Sequence, residues 1–380
     1  MSLKVLHALV PEPPGEVGGA DMHVHDLARY QASAGLTPVV AERGSAEFAA
    51  RIRGADVEVV SATGMSFWAA VRQLAKVIAG YDVNVVHAHG YDADYWATAT
   101  RRRYPRLFQD RSLVFTQHGV VEDTAWHRCK TLLDAACSRS ADGVIVCAAD
   151  LAGRMRRWCP AGSIRYIPNG VSAPDLIPPA DARRLFGLHQ EAFVVGYVGR
   201  LSPEKRPGRL LTLVADARAA GKPVIALVAG SGPLRPELER QADLLGIRDS
   251  VIFAGFVPAV GTVYSALSAL VLLSDTETTS RVVIEAMTTG IPVLASAVGG
   301  VPELLDEGRA GYLVPSGDRG AALDSLRRLM SEPGQFVSIA RERARQLYPA
   351  EAMGRQVTEF YEELRADVAT GSGRAATGSS

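Results

Sequence analysis

The chain has no net charge to give: 41 Lys and Arg residues balance 41 Asp and Glu residues over 380 positions. Without a basic surplus, a dominant nucleic-acid role is argued against. Lysine is scarce, five residues against 36 arginines, a skew that hints at a GC-rich genome and says nothing about chemistry. Cysteine is scarce too, and Cys129, Cys137, Cys147 and Cys159 form no C-x-x-C pair. Neither a zinc site nor a disulfide framework is indicated, and buried thiols of a cytoplasmic protein are expected. No apolar run approaches membrane-spanning length. The opening M-S-L-K-V-L-H-A-L-V-P is too short in its apolar part for a signal peptide and reads as a first strand. A G-x-G-x-x-G fingerprint is missing after that strand, and His23 and His25 lack the i, i+4 spacing of a helical zinc pair.

What is present is an ordered alternation. Hydrophobic residues make up 47% of the chain, enough for a large core, and the length suggests two domains. Strands are predicted at Val5 to Leu9, Pro38 to Ala41, Val57 to Val60, Val83 to His87, Leu113 to Thr116, Gly143 to Cys147 and Ile164 to Ile167. Helical patterns lie between them, at Asp21 to Ala34, Phe67 to Ala79 and Cys129 to Ser138. The second half repeats the scheme, with strands at Phe193 to Val198, Val224 to Val228, Val251 to Ala254, Ala269 to Leu273, Pro292 to Ala295 and Gly311 to Val314. Such alternation predicts parallel sheets covered by helices, so the fold class is α/β with two doubly wound, Rossmann-like domains and an interdomain cleft. The three prolines of Ala173 to Ala180 mark the boundary, giving domains 1–176 and 177–351. A last helix, about Ala352 to Ala366, is expected to cross back to the first domain, and the low-complexity tail 367–380 is expected to be disordered.

Parallel sheets bind ligands at the carboxyl ends of their strands, so the segments after each strand carry the chemistry. Asp275 to Gly290, D-T-E-T-T-S-R-V-V-I-E-A-M-T-T-G, stands out. It follows a buried strand and opens a helix, with Thr279 or Ser280 as N-cap, so backbone N–H groups and a positive dipole end converge there. Glu277 and Glu285 stand beside this anion-friendly point, which suits a ligand bearing hydroxyls as well as phosphates. The competing interpretation is a solvated loop with an exposed helix pair. Arg200 and Lys205 flank the turn G-R-L-S-P-E-K-R-P, where a planar fork and a point charge could clamp a diphosphate. Glycines at Gly18 and Gly19, Gly230 and Gly232, and Gly299 and Gly300 allow close backbone approach to a ligand. His118, between a strand and Gly119, could donate to a sugar hydroxyl or face developing positive charge through its carbonyl. For His87 and His89 the pattern places one of the pair in the core. The D-A-D of Asp92 to Asp94 matches a metal-binding pattern, but capping at a helix start accounts for both acids more simply.

In this order and spacing, G-G-A-D-M-H-V, V-H-A-H-G, T-Q-H-G, I-P-N-G-V, V-G-R-L-S-P-E-K, G-S-G-P-L, the E-x7-E pair, A-V-G-G-V-P-E-L and G-Y-L-V-P-S-G-D resemble the retaining GT-B glycosyltransferases of family 4 over almost the whole chain. The resemblance implies that Arg200 and Lys205, beside Gly199, hold the donor diphosphate and that Glu285 holds the nucleotide ribose. It implies that Glu277 contacts the transferred sugar, helped by the amides of Thr278, Thr279, Ser280 and Arg281, with Gly230 also on the donor side. His118 would face the donor sugar, Gly18 and Gly19 would line the place where phosphate and acceptor meet, and His89 and Asn169 would lie on the acceptor side. No cofactor and no metal are expected, since Arg, Lys and helix dipoles take the electrostatic role. Glu277-Thr278 replaces the Glu-Gly of many members, which alters the sugar end of the site.

The expected reaction moves a sugar from a nucleoside diphosphate sugar, UDP favoured, to a hydroxyl of a small-molecule or natural-product acceptor with retention. Alternatives are a nucleotide-sugar epimerase of the same fold, a phosphorylase, a non-catalytic binding protein, or a transferase using a glycolipid at the basic segments Arg101 to Arg106 and Arg154 to Trp158. For those segments solvated helix ends are the preferred interpretation. Oligomeric state is not legible.

Overall fold

The computed structural model describes residues 3–10, 18–42, 57–119, 136–156, 159 and 164–370. Residues 129–135 of the expected helix Cys129 to Ser138, most of the loop Pro11 to Gly19, Trp158 and the tail beyond residue 370 lie outside the described residues, while Ala136 to Ser138 are helical. The chain divides into two compact units, Met1–Gly170 with Ala350–Ser380, and Val171–Pro349.

The first unit is built on seven parallel strands: β1 (Lys4–Leu9), β2 (Thr37–Glu42), β3 (Glu58–Ser61), β4 (Val85–His89), β5 (Ser112–Gln117), β6 (Gly143–Val146) and β7 (Ile164–Tyr166). Their order is β3-β2-β1-β4-β5-β6-β7. The second unit has six, β8 (Phe193–Val198), β9 (Val224–Ala229), β10 (Val251–Gly255), β11 (Ala269–Leu272), β12 (Val293–Ser296) and β13 (Tyr312–Val314), ordered β10-β9-β8-β11-β12-β13. Both are doubly wound sheets in which strand order reverses once, at β1/β4 and at β8/β11, and ligands of such sheets lie beyond the strand ends at the reversal.

The central strands of each sheet form because they are apolar runs of four to six residues, short for helices and buried on both faces, whereas the edge strands β3 and β7 are only partly covered. β4 ends two residues later than its pattern suggests, because His87 and His89 take part in the ladder opposite Val114 and Thr116 of β5. Residues two apart in a strand share a face, so both histidines are buried together. The expectation that only one of them enters the core is corrected.

Each unit has its own hydrophobic core. That of the second runs from Val171 to Tyr348 and contains no residue from outside the unit. In the first unit, the C-terminal helix Ala350–Thr370 contributes Met353, Val357, Phe360, Tyr361 and Leu364 to a cluster with Val5, Leu27, Val85, Val114 and Ile145. Two glycines let it seat: a Cβ on Gly143 of β6 would come within 2.6 Å of Leu364, and one on Gly354 within 2.2 Å of the Tyr30 ring. Among the described residues, no helix is long and apolar enough to cross a membrane.

Candidate active site

In the second unit the site is assembled where strand order reverses. The loop after β8 carries Arg200 and Lys205, and the loop after β11 carries Glu277. The two meet directly: Lys205 Nζ donates to Glu277 Oε2 at 2.8 Å, while the buried Ser274 Oγ donates to Glu277 Oε1 at 2.8 Å. Glu277 is buried and Lys205 is about a quarter exposed, so the pair presents its ammonium to solvent and keeps its carboxylate behind. The backbone of the first loop is anchored by Tyr197, whose buried hydroxyl donates to the Arg200 carbonyl at 2.6 Å; burial, with the nearby Glu277 and Glu204 charges, raises this phenol far above its ordinary range. The Arg200 guanidinium donates to Glu204 Oε1 at 3.1 Å, which also accepts from Ser202 Oγ at 2.5 Å. Burial opposes ionisation of Glu204, but the Ser202 bond and the Arg200 and Lys205 charges outweigh it and hold the carboxyl below its usual value.

The two loops are tied at a further point. Asp275 N–H donates to the Glu204 carbonyl at 3.1 Å, and the Asp275 carboxylate pairs with Arg206 at 2.5 Å and Arg209 at 2.6 Å. Burial would raise its pKa, yet the Arg206, Arg209 and Ser316 hydrogen bonds lower it.

Glycine permits this crowding. Gly230 has φ +146°, and a Cβ there would stand 1.8 Å from the Gly199 carbonyl oxygen; at Gly299, φ +54°, it would stand 1.5 Å from the Glu277 carbonyl oxygen. Gly300 N–H then donates to the Thr278 carbonyl at 2.7 Å, so the glycine pair after β12 fixes the turn Thr278 to Ser280. Ser280 is the N-cap of helix Arg281–Thr289, although its side chain makes no capping bond, and Gly290 closes the helix at φ 79°. Glu285 faces inward from that helix. Its Oε2 accepts from the Tyr264 hydroxyl at 2.7 Å, and its Oε1 lies 3.8 Å from Arg281 Nη2. Burial and the adjacent Glu285 charge push the Tyr264 phenol well above its ordinary value.

In the first unit the candidate residues gather at the β1/β4 reversal. Gly18 is the N-cap of helix Gly19–Ser33, and its N–H donates to Asp21 Oδ2 at 2.8 Å. His118 stands one residue past β5, and the Gly119 carbonyl next to it accepts from Tyr91 at 3.0 Å. Asn169 Oδ1 is 2.9 Å from His23 Nδ1, and the His23 and His118 rings meet edge to face at 4.6 Å. His89 is buried behind His118, with its nitrogens 3.0 Å from His7 Nδ1 and 3.4 Å from His118 Nε2. It supports the site from below rather than lining it. Asp94 is no cap: it is buried and accepts from Gln117 Nε2 at 2.6 Å, while Asp92 stays exposed in the first turn of helix Tyr91–Arg103. Among the described residues, neither group of side chains spaced to hold a cation contains Asp92 or Asp94.

Sequence reasoning missed Tyr197, Ser274, Tyr264, His7 and Gln31. Each lies within or beside an apolar run and looks like core; their partners are 3 to 82 positions away. For Tyr197 and His7 a polar side chain at an inward strand position was the available signal, since buried polar atoms need partners; Tyr264 and Gln31 lie on helices and Ser274 in a loop, where no such register marks them.

Comparison with known proteins agrees with this geometry. Residues 181–347 match the family model "Glycosyl transferases group 1" and residues 17–173 match "Glycosyltransferase Family 4". The chain is 32% identical over 262 residues to a D-inositol 3-phosphate glycosyltransferase of Streptomyces scabiei, covering 63% of this chain and 58% of that protein. It is 28% identical to the D-inositol 3-phosphate glycosyltransferase of Frankia alni, over 86% of this chain and 90% of the other. It is 31% identical to the alpha-D-kanosaminyltransferase of Streptomyces kanamyceticus, over 49% of each. The chain thus spans less than two thirds of the first of these relatives. Among solved structures, HepE of Anabaena, crystallised with UDP and glucose, superposes with a TM-score of 0.82 at 21% identity over 95% of this chain and 99% of its own. Sucrose-phosphate synthase of Thermosynechococcus elongatus gives 0.79 at 23% identity over 96% and 99%. With two reversing parallel sheets, a family model matched in each half and the Lys205–Glu277 pair at a sheet reversal, the chain belongs to the group 1, family 4 glycosyltransferases of GT-B fold.

Proposed function

We propose that the protein is a retaining glycosyltransferase that moves a sugar from a nucleoside diphosphate sugar to a hydroxyl of a small polyhydroxylated acceptor. The observation that carries this reading is the Lys205–Glu277 pair held by Ser274, beside Arg200 and at the β8/β11 reversal. Two cations beside each other offer charge to a diphosphate, and the adjacent carboxylate offers an acceptor to sugar hydroxyls.

Arg200 and Lys205 stabilise the diphosphate as it leaves, through charge aimed at oxygens that gain it. In a front-face transfer, the bond from C1 to the phosphate oxygen breaks and the bond from the acceptor oxygen to C1 forms on the same face. The acceptor proton passes to the departing phosphate oxygen. Glu277 and the amides of Thr278, Thr279, Ser280 and Arg281 orient the transferred sugar, and Glu285 meets the ribose hydroxyls. Gly199 and Gly230 give the nucleotide backbone contact, while Gly18 and Gly19 line the phosphate and acceptor end. His118 is assigned to the transferred sugar and Asn169 to the acceptor side. Because two cations supply the charge that a divalent ion would otherwise supply, no metal is needed, and chelation with EDTA is expected to leave turnover unchanged.

UDP-sugars are the first donors to test, in line with the UDP bound by the HepE neighbour. The names of the relatives, which include a 2-deoxystreptamine glucosyltransferase, support a cyclitol-like acceptor. The deciding experiment is a thermal-shift panel of UDP, GDP, ADP and TDP sugars, followed by nucleotide release with and without polyol acceptors. A ligand bound only by the folded chain raises its apparent stability. A shift with one nucleotide and acceptor-dependent release support the proposal. Donor turnover without acceptor would point to an epimerase, and no shift with any donor would sink the donor site.

A further inference from the structure

Five of the eight histidines converge in the first unit: His7, His23, His87, His89 and His118. Three of them connect a buried glutamine to the site. Gln31 Oε1 is 2.7 Å from His7 Nε2, His7 Nδ1 is 3.0 Å from His89 Nε2, and His89 Nδ1 is 3.4 Å from His118 Nε2. We propose that Gln31, His7 and His89 are positioning residues whose hydrogen-bond relay holds His118 as its Nε2–H tautomer, making Nδ1 the acceptor through which that ring meets a ligand hydroxyl.

The direction follows from donor and acceptor inventory. An amide oxygen only accepts, so His7 must carry its proton on Nε2. A neutral imidazole has one N–H, which makes His7 Nδ1 an acceptor that only the Nε2–H of His89 can fill. The same constraint makes His89 Nδ1 an acceptor, and His118 donates to it from Nε2. The His89 and His118 rings are inclined by only 25° at 5.6 Å, an arrangement in which an in-plane N–H reaches an in-plane lone pair. Neutrality is enforced by burial, which lowers His7 to about 4 and His89 well below its ordinary value.

His87 stands beside the relay without joining it. Its Nδ1 is 2.6 Å from the Tyr361 hydroxyl and its Nε2 is 2.6 Å from Thr116 Oγ1, and its ring packs 4.0 Å from that of His89. Nitrogens of His7, His87 and His89 lie close enough together to hold a cation, but these hydrogen bonds already engage them. A second-rank network of this kind fixes tautomers in catalytic sites, as the orienting carboxylate does for a triad histidine.

The role for His118 rests on the transferase reading above; its tautomer does not. The full chain labelled with 15N-histidine is examined by long-range 15N–1H correlation, with thermal unfolding as the folding control. In the wild type His118 is expected to be protonated at Nε2. Gln31→Leu should leave His118 as a mixture of tautomers and lower kcat roughly ten- to hundredfold, with donor KM nearly unchanged. Gln31→Glu sets a carboxylate against His7, which favours the doubly protonated ring; that ring donates from Nδ1 as well, so the relay should run the other way and His118 should shift towards its Nδ1–H tautomer. An Nδ1–H form of His118 in the wild type, or an unaltered tautomer in folded Gln31→Leu protein, overturns the relay. If Gln31→Leu fails to fold, the wild-type spectrum still decides. The spectra need no donor, so a correct tautomer in a chain that transfers no sugar counts against the proposed function and leaves the relay standing.

Discussion

Lys205 shows how much one side chain is asked to do. It neutralises the buried Glu277 at 2.8 Å and, in the proposed reaction, meets the leaving diphosphate. Lys205→Ala therefore removes a transition-state charge and also leaves the buried carboxylate with Ser274 as its side-chain donor among the described residues. Steady-state kinetics with the preferred donor should show kcat down by about 10²- to 10³-fold, with acceptor KM little altered; full activity would remove Lys205 from the mechanism. Gly230→Ala tests the same loop by a different route, since its backbone sits at φ +146° and a Cβ would collide with the Gly199 carbonyl. Loss of about 3 kcal/mol or more is expected from strain and displaced backbone together, readable as a lower midpoint in urea unfolding. These side-chain types were legible in the sequence as cations, carboxylates and glycines near strand ends. That the Lys205 ammonium would bond the Glu277 carboxylate was not, because the pair is separated by 72 positions.

At the scale of the elements, β1, β4 and the end of β5 bring buried histidines together, and this sets a pH dependence. His7 has its pKa lowered to about 4 by burial, against an unfolded value of about 6.5. Between these values the unfolded chain binds a proton that the folded chain does not, so stability falls as pH falls through that window. One such histidine contributes a slope of about 1.4 kcal/mol per pH unit. Melting temperatures measured from pH 7.5 to 5 should decline, and less steeply in His7→Asn; equal slopes would show that His7 is not the source. The C-terminal helix offers a second test. Gly143→Leu would drive a side chain into Phe360 and Leu364, separate that helix from β6 and break the cluster that holds Tyr361 against His87. A strongly lowered melting temperature is expected, and a wild-type value would contradict the packing. The helix and its return to the first domain were expected from the sequence, but its seat against β6 was not, because a glycine there carries no sign of what fills the space above it.

At the scale of the whole molecule, the two units differ in how the chain builds them. The second is continuous, Val171–Pro349, and its core uses only its own residues. The first is closed by the helix Ala350–Thr370, from beyond the second unit in the chain. Residues 171–349 expressed alone should therefore unfold cooperatively in a calorimeter. In residues 1–349, which lack Met353, Val357, Phe360, Tyr361 and Leu364, the first unit should be molten while the second keeps its own cooperative transition. A first unit that stays cooperatively folded in the 1–349 fragment would show the helix to be dispensable.

The sequence by itself determined the class of the protein. Short apolar runs, glycine turns and helical periodicities are local properties, and they sufficed for two parallel sheets and for the segments at their carboxyl ends. The ordered set of motifs sufficed for the family. Tertiary structure alone decided which polar groups face each other: Lys205 with Glu277, Tyr264 with Glu285, His7 with His89 and Gln31. Strand order is the physical reason. It reverses at β1/β4 and β8/β11, setting side by side loops that are far apart along the chain, and burial then requires each polar atom there to find a partner.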